Sequence, residues 1–239
     1  MSPVAGARYA QQQIAGGGGP TPPLAGYVVW YDPSDAASIT SSGGAVSQLN
    51  DKSGNGRHLT QATSGFRPTT GTRTQNGLNV LDYDGTDDFL EAAGFTIAQP
   101  VTVFLVAASD DGGDSTLQKM FDNQATASFF ISKTAANTWG ANAGAAFGGP
   151  PIGIDSVAHI HTAVFNGASS IRYVDASTGA TLNGGANGLD GVRLANARSG
   201  VAGSWWDGPI GEVLVYPSAL NTTDVTTVLG YLKAKWNTP

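Results

Sequence analysis

Cysteine is absent from the chain, so neither disulfides nor thiolate metal sites can brace it, and the fold must stand on burial and hydrogen bonding. Basic residues are scarce. Twelve Lys and Arg against eighteen Asp and Glu leave a net charge of −6, and scattered cations cannot form the basic stripe that a phosphate backbone demands, which excludes nucleic acid as a partner. Long apolar runs are missing too. No stretch approaches the roughly 18 apolar residues of a membrane-spanning helix, and Met1 to Gln13 lacks the basic start and apolar run of a secretion signal. The expectation is a chain that is neither signal-led nor inserted in a membrane.

What is present is glycine and the period of β-strands. Thirty-three Gly and 12 Pro, with only 13% charged residues, suit a turn-dense β protein, while 41% hydrophobic content is too high for a disordered chain. All-β sandwiches of roughly 200–250 residues are commonly one domain, so a single core suffices. Strands are expected at Tyr27 to Tyr31, Val46 to Leu49, Leu78 to Tyr83, Asp88 to Glu91, Gln118 to Phe121, Ser128 to Lys133, Thr138 to Gly140, Ile171 to Asp175, Gly191 to Leu194 and Ile210 to Tyr216. Val101 to Ala108 is apolar throughout and predicts a central strand buried on both faces. Thr63 to Gly77 and Ala141 to Gly153 show no period and read as loops. Asn166-Gly167 predicts a hairpin turn, and Asp175 to Gly179 a longer reversal. Near the end, Asn221 is placed to cap a helix whose Val225, Val228, Leu229, Leu232 and Trp236 share one face; such a helix would seal an open edge or end of the sheets.

Candidate functional residues follow from position and chemistry. Loops at the ends of a sandwich carry recognition, which makes Trp139 and Phe147 the aromatic candidates for a glycan site, with Arg193 or Arg198 facing the ligand. Trp30, beside Tyr31, offers a ring face that could stack on a sugar, and Tyr83 and Phe89 read as inward-packing. Asp84, Asp87 and Asp88 gather carboxylates as a calcium loop does, but the EF-hand spacing is absent and aspartates also cap turns. No cofactor or metal is therefore expected, with calcium at these three as the alternative. His159 and His161, two apart on a strand, lack a third ligand nearby and read as structural. Residues 1–24 form an anchoring arm with a Gly/Pro hinge, and 25–239 the domain; Arg8, Tyr9, Gln12 and Ile14 are the arm's candidate partner contacts.

Three runs, Leu81-Asp82-Tyr83-Asp84-Gly85-Thr86-Asp87-Asp88-Phe89-Leu90, His161-Thr162-Ala163-Val164-Phe165-Asn166-Gly167 and Gly208-Pro209-Ile210-Gly211-Glu212-Val213-Leu214-Val215-Tyr216, occur in this order in the concanavalin A-like, laminin-G-type jelly-roll family, which the chain resembles from Ala25 to Asn237. The resemblance implies an all-β fold, a two-sheet antiparallel jelly-roll sandwich, here with a short C-terminal helix and an N-terminal extended arm. For Trp30 it implies a core position instead of a sugar contact. Such domains occur on bacteriophage virion proteins and bacterial surface proteins, often binding glycans. It thus implies a structural protein on the virion surface, as capsid decoration, head fibre or tail-associated adhesin. The arm would hold it to other virion proteins, a homo-oligomer would form, and the sandwich would meet host-surface glycans. The alternative is a bacterial carbohydrate-binding module or a glycan hydrolase. Jelly-roll glucanases carry Glu-x-Asp-x-x-Glu, two carboxylates on one face about 5–5.5 Å apart. The two glutamates of this chain, Glu91 and Glu212, stand in no such pattern, and neither a Gly-x-Ser-x-Gly elbow nor a phosphate loop occurs. The expectation is a chain that is not an enzyme.

Overall fold

A computed structural model describes residues 20–111, 116–124, 128–134, 136, 138–197 and 203–239. The chain runs through β1 (Val29–Tyr31), β2 (Ile39–Ser42), β3 (Ala45–Leu49), β4 (Leu59–Thr60), β5 (Thr69–Gln75) and β6 (Leu78–Asp84). It continues through β7 (Leu90–Ala92), β8 (Val101–Ala107), β9 (Gln118–Asp122), β10 (Phe130–Lys133), β11 (Trp139–Asn142) and β12 (Ala146–Gly148). Last come β13 (His159–Phe165), β14 (Ile171–Val174), β15 (Ser177–Thr178), β16 (Val192–Leu194), β17 (Asp207–Tyr216) and α1 (Thr222–Trp236).

Antiparallel ladders arrange these strands in two layers. The first layer runs from β17, paired along its length with β6 and then β1, through β8, β13 and β14 to β15. The second runs β2, β3, β4, β7, β16, β9, β10, β11, β12. β5 bridges them, meeting β6 along most of its length and β3 at Ala45 opposite Thr69. This is the expected all-β sandwich with one short C-terminal helix.

Alternation decides which side of each strand enters the core. On β8, Val101, Val103, Leu105 and Ala107 face the space between the layers, where they join Ala163 and Phe165 of β13 and Ile210, Val213 and Val215 of β17. The other side of the same strands, Phe104, Val106, Ile160, Val164, Leu214 and Tyr216, forms a second apolar surface. A sheet face that is apolar on the outside has to be covered, and α1 covers it with Val225, Val228, Leu229, Leu232 and Trp236. The helix therefore lies across the outer face of the first layer instead of sealing an edge. Its start is capped by the Asn221 side chain, which accepts from the Asp224 N–H at 3.0 Å, and its end by Asn237 in the left-handed region.

Two stretches expected as loops contain strands: β5 within Thr63 to Gly77, and β12 within Ala141 to Gly153. Both are edge or bridging strands with polar or glycine-rich sequence that pair as hairpins with the strand beside them in the chain, β5 with β6 and β12 with β11, so the pairing shows in the ladders and not in any period of their own residues. The Asn166-Gly167 hairpin closes through a short helical turn, Gly167–Ser169, and not a two-residue turn. Conversely, Asp175 at φ 51° makes a tight turn, with Val174 opposite Ser177, where a longer reversal was expected. Of the Gly/Pro hinge, Pro20 and Leu24 fall among the described residues. The Leu24 carbonyl accepts from the Tyr216 hydroxyl at 2.9 Å, and the Pro20 carbonyl, 2.7 Å from the Tyr231 hydroxyl, shares that hydroxyl's one proton with Glu212, so this part of the hinge is fastened to the helical side of the sandwich. Arg8, Tyr9, Gln12, Ile14 and Arg198 lie outside the described residues.

Candidate functional site

The two outer faces of the sandwich differ. That of the first layer is under α1, whereas that of the second is crossed by a register row of largely polar side chains: Gln48, Thr60, Glu91, Arg193, Asp122, Phe130, Asn142 and Ala146 are successive partners from β3 to β12. They face outward because their neighbours Leu49, Leu59, Leu90, Leu194, Phe121, Ile131 and Ala141 take the core positions. The cation of this row, Arg193, and Lys119 beside it are neutralised in place. Arg193 donates to Glu91 Oε2 from Nε at 3.1 Å and from Nη2 at 2.5 Å, and Lys119 donates to Asp122 at 2.7 Å.

Aromatic rings collect beside these pairs. Phe89 precedes Leu90, so alternation turns it outward, contrary to the inward packing expected for it. Phe66 stacks on it at 6.3 Å and Trp205 tilts against it at the same distance. The Arg193 guanidinium lies 4.3 Å over the Phe89 ring, and Lys119 Nζ 4.1 Å over Phe130. Trp205 points outward because Trp206, fully buried, is its partner in the core. Phe66 remains 39% exposed and Leu117 38%. Next to Phe130 lies a groove of about 310 Å³, lined by Leu117, Ser132, Thr134, Thr138, Gly140 and Gly148. At Gly148 the outer surface is open, whereas at Gly140 the Thr134 methyl covers it, 2.8 Å from where a Cβ would stand.

The aromatic candidates read from the sequence, Trp139 and Phe147, border this same groove but point away from it. Trp139 is 1% and Phe147 2% exposed, both packed between the layers, so neither offers a ring face to a ligand. Strand alternation at the ladder of β10, β11 and β12 points them inward, opposite Phe130 and Ser132. Arg193 does stand on the outer face, ion-paired. Glu91, Phe66, Phe89, Trp205, Lys119 and Asp122 were missed; the alternation Phe89-Leu90-Glu91-Ala92 was the available signal.

The histidines are structural in different ways. Between the carboxylates of Asp175 at 2.5 Å and Asp155 at 2.9 Å, His159 has its charge opposed by burial, but the Asp175 and Asp155 interactions prevail and raise its pKa. His161, fully buried with the Arg172 guanidinium 3.2 Å away, is pushed well down by burial and then by that charge. Arg172 itself is fully buried, bonds the Thr162 and Tyr173 carbonyls, and has its pKa lowered to about 9 by desolvation.

The ligand oxygens of Asp84, Asp87 and Asp88 lie within 4.8 Å of one another. Asp84 Oδ1 also caps the turn, accepting from the Thr86 N–H at 2.9 Å and the Asp87 N–H at 3.3 Å. Burial, and then the charge of Asp84, push Asp88 up to about 6. Because this exceeds the unfolded value of roughly 3.9, the contribution of Asp88 to stability is complete below that value and is lost as pH rises through the folded pKa. Asp88→Asn, neutral at every pH, should accordingly stabilise the protein at pH 7 by about 1–2 kcal/mol and flatten the thermal-midpoint profile between pH 4 and 7. A variant no more stable than the parent at pH 7 would show that the carboxylate is compensated there.

No family model matches the chain, and no curated protein matches it in sequence. Solved structures share its fold. A Trypanosoma rangeli sialidase in complex with sialic acid matches with a TM-score of 0.61 at 14% identity, over 91% of this chain and 34% of that one. The chain thus spans about a third of the sialidase's length. Domain 4 of AbnA, a GH43 extracellular arabinanase from Geobacillus stearothermophilus, in complex with arabinotriose, matches with a TM-score of 0.57 at 12% identity, over 85% of this chain and 98% of that one. A mutant of HCR/D matches with a TM-score of 0.59 at 9% identity, over 90% and 55%. Likeness at such identity shows the β-sandwich fold alone. It nevertheless overturns the expectation that the chain is not an enzyme: the fold occurs within glycoside hydrolases, and the missing Glu-x-Asp-x-x-Glu tests a single catalytic pattern among the several that glycosidases use.

Proposed function

We propose that the outer face of the second layer binds glycans, and that its preference is for neutral oligosaccharides. The observation that carries this is the cluster of Phe66, Phe89 and Trp205 on a sheet face with no covering element among the described residues, beside the paired Arg193 and Glu91. A sugar ring offers apolar C–H faces to aromatic rings and hydroxyls to fixed polar groups, and binding sites combine such apolar walls with a few placed polar groups. Because Arg193 and Lys119 each already hold a carboxylate, the face has little net positive charge to reward an acidic sugar. The fold's occurrence in a domain solved with arabinotriose, a neutral oligosaccharide, supports the same reading. A place on a bacteriophage particle, with the arm attaching the domain to other virion proteins, rests on the sequence resemblance alone.

Titration calorimetry with neutral and acidic oligosaccharides tests this. Neutral ligands should bind, and Trp205→Ala together with Phe66→Ala should weaken them at least about tenfold, the loss of roughly 1.4 kcal/mol expected when ring stacking is removed. Selective binding of acidic sugars would refute the preference, and no binding to any glycan the reading itself. Reducing ends released from a bound polysaccharide, and lost in Glu91→Gln, would make the same face a hydrolytic one.

A further inference from the structure

On the helical side of the sandwich, three charged groups meet with almost no access to water. Lys235 Nζ lies 2.9 Å from Asp32 Oδ2 and 2.8 Å from Glu212 Oε2, with the side chains 3%, 0% and 0% exposed. Asp32 follows β1, Glu212 is in β17 and Lys235 is in the last turn of α1, so the first strand, the central strand and the helix converge on one point. The surroundings are aromatic: Trp30 and Trp236 donate their indole N–H groups to Glu212 at 2.7 and 3.1 Å, and the Tyr231 hydroxyl donates to it at 2.9 Å. The other Asp32 oxygen, Oδ1, accepts from Ser34 Oγ at 2.6 Å and from the Ser34 N–H at 3.2 Å, and Lys52 Nζ stands 3.3 Å from Oδ2.

We infer that Lys235 and Asp32 become joined by an amide bond that the folded chain forms by itself, with Glu212 as the catalytic residue that moves the protons. Glu212 takes a proton from the Lys235 ammonium, and the freed Nζ lone pair attacks Cγ of Asp32. Ser34 and Lys52 hold the charge on the oxygens while that carbon is tetrahedral. Two protons in all pass from Nζ to one departing oxygen by way of Glu212, the C–O bond breaks, and water leaves. One ammonium and one carboxylate become one amide and one water, Glu212 ends as it began, and no oxidant, cofactor or further reactant is consumed.

Two physical effects favour the step. Holding nucleophile and carbonyl carbon together in one packed site replaces an encounter with a standing contact, which is worth many orders of magnitude in rate. Burying an ion pair among aromatic rings carries a desolvation cost, and the amide removes both charges. Burial also pushes the Glu212 pKa upward against the pull of Lys235, which suits it to accept and return a proton. The result in a chain without cysteine is a covalent brace from the end of the first strand to the final helical turn.

Mass spectrometry of the full chain under denaturing conditions decides the matter. The expected mass is lower than the sequence requires by one water, and a protease digest should contain a branched peptide joining the segment around Asp32 to that around Lys235. Glu212→Gln, close in shape, should keep the full sequence mass and give no branched peptide, and should migrate more slowly than the parent on a denaturing gel. The parent's own mass and digest stand whether or not the variant folds. A parent at full sequence mass would overturn the inference. So would a lost water that maps elsewhere, as by ring closure at Asp84-Gly85, or a branch through Lys52.

Discussion

Trp236→Ala is expected to lower the free energy of unfolding by about 3–5 kcal/mol in urea titrations, the range for truncating a large aromatic side chain in a packed core. Trp236 is fully buried at the end of the apolar stripe of α1, against Val106 and Gly211 of the first layer. The absence of a side chain at Gly211 makes the room: a Cβ added there would stand 3.3 Å from the Trp236 ring. Removing the ring leaves a cavity over the two central strands and takes one of the N–H donors from the buried Glu212. Stability within about 1 kcal/mol of the parent would mean that the helix adds little to the sandwich.

Glu212→Ala should be as costly for a different reason. Glu212 accepts from Trp30, Tyr231, Lys235 and Trp236, so its loss strands two indole N–H groups and leaves Lys235 with Asp32 as its one carboxylate partner. Breaking a buried charge network by removing one member typically costs about 3–5 kcal/mol, because the partner charges stay desolvated. For a domain of this size that corresponds to a fall of roughly 6–20 °C in thermal midpoint. A shift of less than about 3 °C would show that water enters and replaces the carboxylate.

Much of this architecture was legible in the order of residues. Val101 to Ala107 carries apolar side chains at every position, a pattern that only a strand covered on both sides satisfies, and it is the centre of the first layer. The helix was legible for a local reason: Asn221, Asp224 and the stripe ending at Trp236 act within a few residues of one another. Tertiary structure alone decided where that helix lies, since its apolar face fits any apolar surface and only the outer side of β8, β13 and β17 supplied one. It likewise decided that Thr69–Gln75 and Ala146–Gly148 are strands: each pairs with the strand beside it in the chain, but their own polar and glycine-rich residues carry no period, so only the assembled ladders show the hairpins. The candidate binding face shows the same division most clearly. Trp139 and Phe147 look available in a glycine-rich stretch, yet the register of β10, β11 and β12 turns both into the core and leaves Phe130 outside. Phe66, Phe89 and Trp205 come from three separate segments, and the meeting of Asp32, Glu212 and Lys235 likewise spans the chain from its first strand to its last turn. Side-chain chemistry is written locally, but a site is a matter of distance in space, and the packing of the two layers sets those distances.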